Sequence, residues 1–175
     1  MKRENGELLI RNVTVDDAEQ LCKWWNDGNV MAHAGFPNGL GTTAEAITHQ
    51  IEKESDQTTR RHIIEFRRIP IGEMNYRNMG GKVCEIGIKI CNSEMQNVGL
   101  GKKILTMFID ALFTEFGYEI IILDTNLKNM RAQNVYAQLG FQKVRINIDA
   151  WKDQLGNMQS SVDYKLTERQ FVRYL

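Results

Sequence analysis

The sequence predicts an α/β (α+β) protein, a mixed β-sheet flanked by helices, with hairpins before and after one strand–helix–strand unit. Three observations carry that prediction. Cys84, Ile86, Ile88 and Ile90 alternate with Glu85, Gly87 and Lys89, the period of a half-buried strand. Ile104, Leu105, Phe108, Ile109, Ala111, Leu112 and Phe116 then recur at spacings of three and four, which covers one face of a helix. Ile120-Ile121-Ile122-Leu123-Asp124 follows as a short unbroken apolar run, as expected of a central parallel strand covered on both faces. Strand, helix and strand make a right-handed crossover.

The remaining elements follow from local chemistry. Leu8-Leu9-Ile10 opens a strand, and Thr14-Val15-Asp16-Asp17 starts a helix with a capping hydroxyl and acids in its first turn. Leu21, Trp24 and Trp25 follow at helical spacing, and Asn26-Asp27-Gly28 ends that helix. Residues 29–41 carry three glycines and one proline around His33 and Phe36 and read as a long loop, a common place for binding groups. A second helix starts at Thr42 or Thr43 and reaches Lys53. Residues 61–66 and 71–76 read as strands joined at Arg68-Ile69-Pro70, and Asn78-Met79-Gly80-Gly81 makes a hairpin turn into the strand at 84–90. After the crossover, Asn126 can cap a helix on which Ala132, Tyr136 and Leu139 share a face and which Gly140 ends. Val144, Ile146, Ile148 and Ala150 alternate, residues 153–157 turn, and Val162, Tyr164 and Leu166 alternate back as a closing hairpin.

Composition sets bounds on function. The 175 residues suit one domain over 1–175, with no repeat, linker or low-complexity tract. Apolar residues make up 42% and charged residues 25%, with 22 basic against 22 acidic side chains, so net charge offers no case for nucleic acid or anionic membrane as partner. The polar start and the lack of any membrane-length apolar run point to the cytoplasm. Cys22, Cys84 and Cys91 have neither metal-ligand spacing nor an even count and read as free thiols, so no metal site is expected. Cys91 has no histidine near it in sequence to activate it as a nucleophile.

Gln96-Asn97-Val98-Gly99-Leu100-Gly101-Lys102 lies between the alternating strand and the amphipathic helix, a place to hold an anion. Glycines let backbone approach a ligand, and first-turn N–H groups with the positive end of the helix dipole point at it. A Walker loop would need glycine at Gln96 and Ser or Thr at Lys103. A dinucleotide fingerprint would need a third glycine at Ile104 and a place after the first strand. What remains is Gln-x-x-Gly-x-Gly after a strand, which resembles the coenzyme A pyrophosphate loop of the GNAT superfamily of N-acetyltransferases. Asn129-x-Arg131-Ala132-x-x-x-Tyr136-x-x-Leu139-Gly140-Phe141 resembles the second signature block of the same superfamily, in the expected order.

The resemblance implies a mostly antiparallel central sheet with one parallel, splayed strand pair, and acetyl transfer from acetyl-CoA to an amine by direct attack. It places the pyrophosphate on residues 96–102, with Lys102 or Lys103 adding charge. Pantetheine would pair with backbone at Ile88, Lys89 and Ile90. Asn129 would bond the pantetheine arm, Arg131 belongs to the same block, and Tyr136 would lie near the sulfur. The amine must shed a proton, which at pH 7 costs about 4.6 kcal/mol for a lysine-like amine and about 1 kcal/mol for an α-amine. Glu85, opposite the apolar side of its strand, is the first candidate base and Glu73 the second, while Gly87 supplies no side chain for that role. Trp25, Asp27, His33 and Phe36 are the candidate substrate contacts.

A looser resemblance, through residues 16–27 and the closing hairpin with Trp151, Gly156 and Asp163, is to ribosomal-protein N-acetyltransferases and their antibiotic- and polyamine-modifying relatives. A protein N-terminal amine is the first expectation for the acceptor, with an aminoglycoside or polyamine as alternative and a non-catalytic coenzyme A sensor as a reading of another class. An edge strand or the 29–41 loop offers a surface for a homodimer.

Overall fold

A computed structural model describes residues 1–96 and 98–174. Eight strands form one sheet: β1 (Lys2–Asn5), β2 (Leu8–Asn12), β3 (Thr59–Phe66), β4 (Ile69–Gly80), β5 (Val83–Ile90), β6 (Ile120–Asn126), β7 (Gln142–Lys152) and β8 (Met158–Thr167). Their spatial order is β1-β2-β3-β4-β5-β6-β8-β7. Every neighbouring pair is antiparallel except β5 with β6, so the sheet is the mixed, mostly antiparallel one expected. β5 and β6 pair only at Val83 with Ile120, Cys84 with Ile121 and Glu85 with Ile122. Beyond those rungs β5 runs on to Ile90 and β6 to Asn126 without pairing to each other. The sheet therefore opens along its middle.

Helices cover both faces. α1 (Ala18–Asn26), α2 (Gly28–Met31) and α3 (Ala44–Glu52) lie on one side, with α4 (Leu100–Thr114) and α5 (Met130–Gln138) on the other. Successive strand residues point to opposite faces, and β3 shows the consequence. Ile63 packs with Leu21, Trp24, Trp25, Ile47 and Ile51, while Ile64 joins Ile104, Phe108, Leu112, Ile121 and Tyr164. α4 is the keystone of the larger core, for Ile104, Phe108, Ile109, Ala111 and Leu112 are fully buried. Each fully buried Ile, Leu or Phe contributes about 1.5–3 kcal/mol of burial.

Several boundaries differ from expectation. A further strand, β1, precedes Leu8 and pairs with β2. Thr14 caps a single 3-10 turn, Val15–Asp17, closed by a reciprocal box with Asp17, before α1 begins. The 29–41 stretch is not all loop, since α2 and a 3-10 turn at Ala32–Ala34 occupy its first part. The turn between β3 and β4 lies at Arg67 and Arg68, not at 68–70, and β4 runs through to Gly80. α5 is capped by Asn129, whose side chain accepts from the Ala132 amide, and not by Asn126, which turns back to accept from the Lys128 amide. β7 is an edge strand on which Val144, Ile146 and Ile148 are all exposed. Among the described residues no helix is long and apolar enough to cross a membrane.

Candidate active site

The opening between β5 and β6 is a cavity of about 700 Å³ that reaches both faces of the sheet. Leu100, Leu105 and Tyr136 line it from the α4 and α5 side, and Asn29, Val30 and His33 from the α2 side. Residues 86–90 and 124–126, the diverging strand ends, form its flanks. A strand pair that stops pairing leaves backbone N–H and C=O groups for a ligand.

At one end stands the mouth of α4. Gly99 occupies its N-cap in the left-handed region, φ +83°, which a residue with Cβ enters only at a cost, and it brings no side chain of its own to cap the helix. The first-turn amides are left for a ligand. A Cβ placed on Gly101 would meet no atom within 4 Å, so the cradle is open and fits a diphosphate approaching the backbone. Lys102 lines the cavity with its Nζ 4.5 Å from the Tyr174 ring centre. Gln96 acts as a latch: its Nε2 donates to the Ile90 carbonyl at 2.9 Å and its Oε1 accepts from Arg131 at 3.1 Å, tying the end of β5 to α5. Asn129, Arg131, Ile88, Lys89 and Ile90 all line the cavity. Val98 and Lys103 are exposed outside it, and Asn97 lies outside the described residues.

Tyr136 lies at the middle of the opening, 7% exposed and wedged edge-on between Phe141 and Tyr164 at 5.6 and 5.5 Å. Burial, and then the nearby Asp124 carboxylate, push its hydroxyl up to about 12. Asp124 is the charged residue that sequence reasoning passed over. It ends the apolar run of β6 just past the last rung shared with β5, and its signal was that a charge closes an otherwise apolar strand. Its side chain is open to water, but that water is in a recess. Lost hydration first, then Glu85 and Asp163, raise its carboxyl above the ordinary range. Asp163 stands directly across from it on β8.

The candidate bases fare differently. Glu85 does not line the cavity; its carboxylate takes a forked contact from Arg77, its cross-strand neighbour, at 2.9 and 3.1 Å. Glu73 is buried with both oxygens engaged, by the Trp25 indole N–H at 2.7 Å and Lys89 at 3.3 Å on one, and by Arg61 at 3.7 Å on the other. A carboxylate so held is an anchor for α1 and β5 rather than a free proton acceptor. Trp25 is part of that anchor, with the Arg61 guanidinium 4.5 Å from its ring centre, and both line a smaller adjoining cavity of about 320 Å³. Asp27 caps α2 by accepting from the Asn29 amide at 2.8 Å, and Phe36 lines neither cavity. Of the four substrate-contact candidates only His33 reaches the main cavity. Cys91 is buried, its thiol pushed up to about 12 chiefly by that burial, which makes it inert as a nucleophile.

Comparison with known proteins agrees with this geometry. The model of the acetyltransferase (GNAT) domain family matches residues 7–142. A spermidine N-acetyltransferase from Vibrio cholerae, crystallised with CoA and spermine, superposes with a TM-score of 0.84 at 19% identity, over 95% of this chain and 98% of that one. A GNAT-family acetyltransferase from Bacillus anthracis gives 0.78 at 20% identity, over 97% and 99% of the two chains. A structure described as a probable acetyltransferase gives 0.83 at 18% identity, over 98% and 99%. Curated protein sequences contain no match. The structural likenesses fix the fold; the family match spans the split strand pair, the helix mouth and Tyr136 alike, so the chain belongs to the GNAT acetyltransferase family and is an N-acetyltransferase.

Proposed function

We propose that the protein acetylates a small cationic amine, a polyamine being the favoured class, with acetyl-CoA as donor. Acetyl-CoA supplies an activated acyl thioester; the new N–C bond forms as the C–S bond breaks, and the thiol leaves with one proton. The open mouth of α4 and Lys102 hold the diphosphate, and the unpaired edge of β5 at Ile88, Lys89 and Ile90 receives the pantetheine arm as an extra strand. Asn129, fixed as the α5 cap through its Oδ1, has its side-chain Nδ2 left to donate to that arm. Tyr136 donates a hydrogen bond to the departing sulfur.

Asp124, rather than Glu85 or Glu73, collects the proton of the incoming ammonium. It shares the cavity with Tyr136, and its raised carboxyl shortens the climb from an amine near 10.4. The observation that carries this reading is the single cavity joining helix mouth, tyrosine and acid through the gap in the sheet. A small acceptor is favoured over a protein N-terminus because the hairpin of β7 and β8, whose Trp151 lines the cavity, is tied to residues 35–39 by Gln154 and so bridges the two sides of the gap. The neighbour crystallised with spermine supports the same choice. A homodimer through the exposed edge of β7 is part of this reading and is tested by sedimentation.

The test is an acetyl-transfer screen read by free thiol release over spermidine, an aminoglycoside and an N-terminal peptide, repeated with Asp124→Asn. The expected result is preference for spermidine. In the wild type the rate falls as pH drops through the raised carboxyl pKa, because the base must be ionised; in the variant that limb is lost together with most of the activity. A variant with wild-type rate at every pH removes Asp124 from the reaction.

A further inference from the structure

β7 breaks its register with β8 twice, between Lys143 and Arg145 and again between Asn147 and Trp151, and the second break bears on the cavity. Asn147 faces Ser161 and Trp151 faces Gln159, so Ile148, Asp149 and Ala150 stand against Ser160 alone. Asp149 takes the left-handed region, φ +48°, and its amide is held by the Ser160 hydroxyl at 3.0 Å. A non-glycine residue in that region costs energy that the surroundings must offset. The bulge adds two residues, so Trp151 keeps the face of Asn147 but stands opposite Gln159, two rungs nearer the gap than a regular ladder would put it. On a strand whose other side chains are almost all exposed, Trp151 is half-buried and lines the main cavity.

Its landing place is built for it. A Cβ on Gly35 would lie 2.4 Å from the Trp151 six-membered ring, so only glycine allows the ring to sit there, and Gly35 itself has φ +92°. The contact is lashed down beside it: the Gln154 amide donates to the Gly35 carbonyl at 2.8 Å, Gln154 Oε1 accepts from the Asn38 amide at 2.9 Å, and Gln154 Nε2 donates to the Gly39 carbonyl at 3.0 Å. Trp151 thus spans from the β6–β8 side of the cleft to the α2 side. Trp25 has its ring covered by Arg61, whereas no lysine or arginine among the described residues stacks on Trp151. Asp124 lines the same cavity. An aromatic face and a carboxylate on one cavity recognise an alkylammonium chain.

We infer that Trp151, seated on Gly35 by the β7 bulge, is the aromatic wall of the acceptor subsite and selects slender cationic amines over bulky ones. The assignment deepens the proposed function and rests on it for the identity of the transferred group. Trp151 touches acceptor rather than acetyl-CoA, so its removal acts on one substrate only.

The test uses the full chain with Trp151→Ala, Trp151→Phe and Gly35→Ala. Trp151→Ala raises the KM for spermidine about tenfold, the loss of one well-placed cation–π contact. It leaves the KM for acetyl-CoA and the melting temperature within error, and it shifts the kcat/KM ratio towards an aminoglycoside. Trp151→Phe recovers part of the spermidine preference. Gly35→Ala displaces the ring and moves the ratio in the same direction, and adds little when combined with Trp151→Ala. Equal spermidine KM in wild type and Trp151→Ala overturns the assignment, as does a parallel rise in both KM values with a fall in melting temperature. Calorimetry with coenzyme A judges the underlying reading separately. If the wild type binds none, the proposed function falls, and the Trp151 assignment is decided by direct spermidine titration of wild type against Trp151→Ala, where equal affinity refutes it.

Discussion

At Tyr136 burial decides which of two proton chemistries is available. A thiol leaves near 8.5, while the tyrosine hydroxyl is held up at about 12, so complete proton transfer is uphill by about 5 kcal/mol and hydrogen bonding to the sulfur is the affordable role. Tyr136→Phe deletes only that bond. A charge-assisted bond of about 1.5–3 kcal/mol predicts a fall in kcat of roughly 10- to 150-fold with coenzyme affinity retained, checked by steady-state kinetics beside calorimetry. His62 makes a different prediction. It is wholly buried, with ring centres 5.8 Å from Tyr76 and 5.1 Å from Phe108, and neither ring nitrogen has a hydrogen-bond partner among the described residues. Burial holds its pKa down at about 3, against about 6.5 in an unfolded chain. The unfolded state therefore takes up the proton first. Stability is intact above pH 6.5 and declines as pH falls towards 3, by about 2 kcal/mol at pH 5 from this group alone. Urea midpoints at pH 7 and pH 5 should converge in His62→Leu, and an unchanged gap would show that the acid sensitivity lies elsewhere.

Among the elements, those built on periodicity were legible and those built on special backbone were not. The alternation at 84–90 and the three-and-four spacing at 104–116 report which atoms face the core, and β5 and α4 followed from them. Gly99 and Gly101 marked the start of α4, since glycines between an alternating run and a three-and-four run signal a turn into a helix. The β3–β4 turn was missed because Arg67 and Arg68 sit at φ +54° and +64° with no glycine or asparagine to announce it. Pro70 drew the expected turn downstream, yet it lies in β4 opposite Glu65, beside the irregularity after Ile64. Asp124 was hidden because the unpairing of β5 from β6 that exposes it is a long-range event. Trp151 could be named only for its family likeness, because its place on the cavity depends on a long-range contact with Gly35. The turn carries its own test. Arg67 anchors to Glu7 through its Nε at 2.8 Å and its amide at 2.9 Å, so it is left in place. Arg68→Gly relieves the left-handed strain and should stabilise the protein by about 1 kcal/mol, read as a raised urea midpoint with an unchanged slope.

At the scale of the molecule, the cleft that makes catalysis possible also divides the sheet. β1 to β5 lie on one side of it and β6, β8 and β7 on the other, joined within the sheet by the rungs at 83–85 and 120–122. α4 packs beneath both parts, and the Gln154 strap crosses above. A ligand lying along the gap touches both sides at once, and it binds the folded chain but not the unfolded one. Coenzyme A at a hundred times its dissociation constant should thus add about 2.7 kcal/mol to the stability of the whole. For a chain of this size that is a rise in melting temperature of about 5–11 °C. Gly101→Asp is the control, because a carboxylate at the α4 mouth would occupy the cradle and repel a diphosphate while adding an acid where a helix N-terminus welcomes one. Its own melting temperature should hold or rise slightly, and its response to coenzyme A should vanish. A wild-type curve that ignores coenzyme A would mean that the gap between β5 and β6 is a packing feature and not a binding cleft.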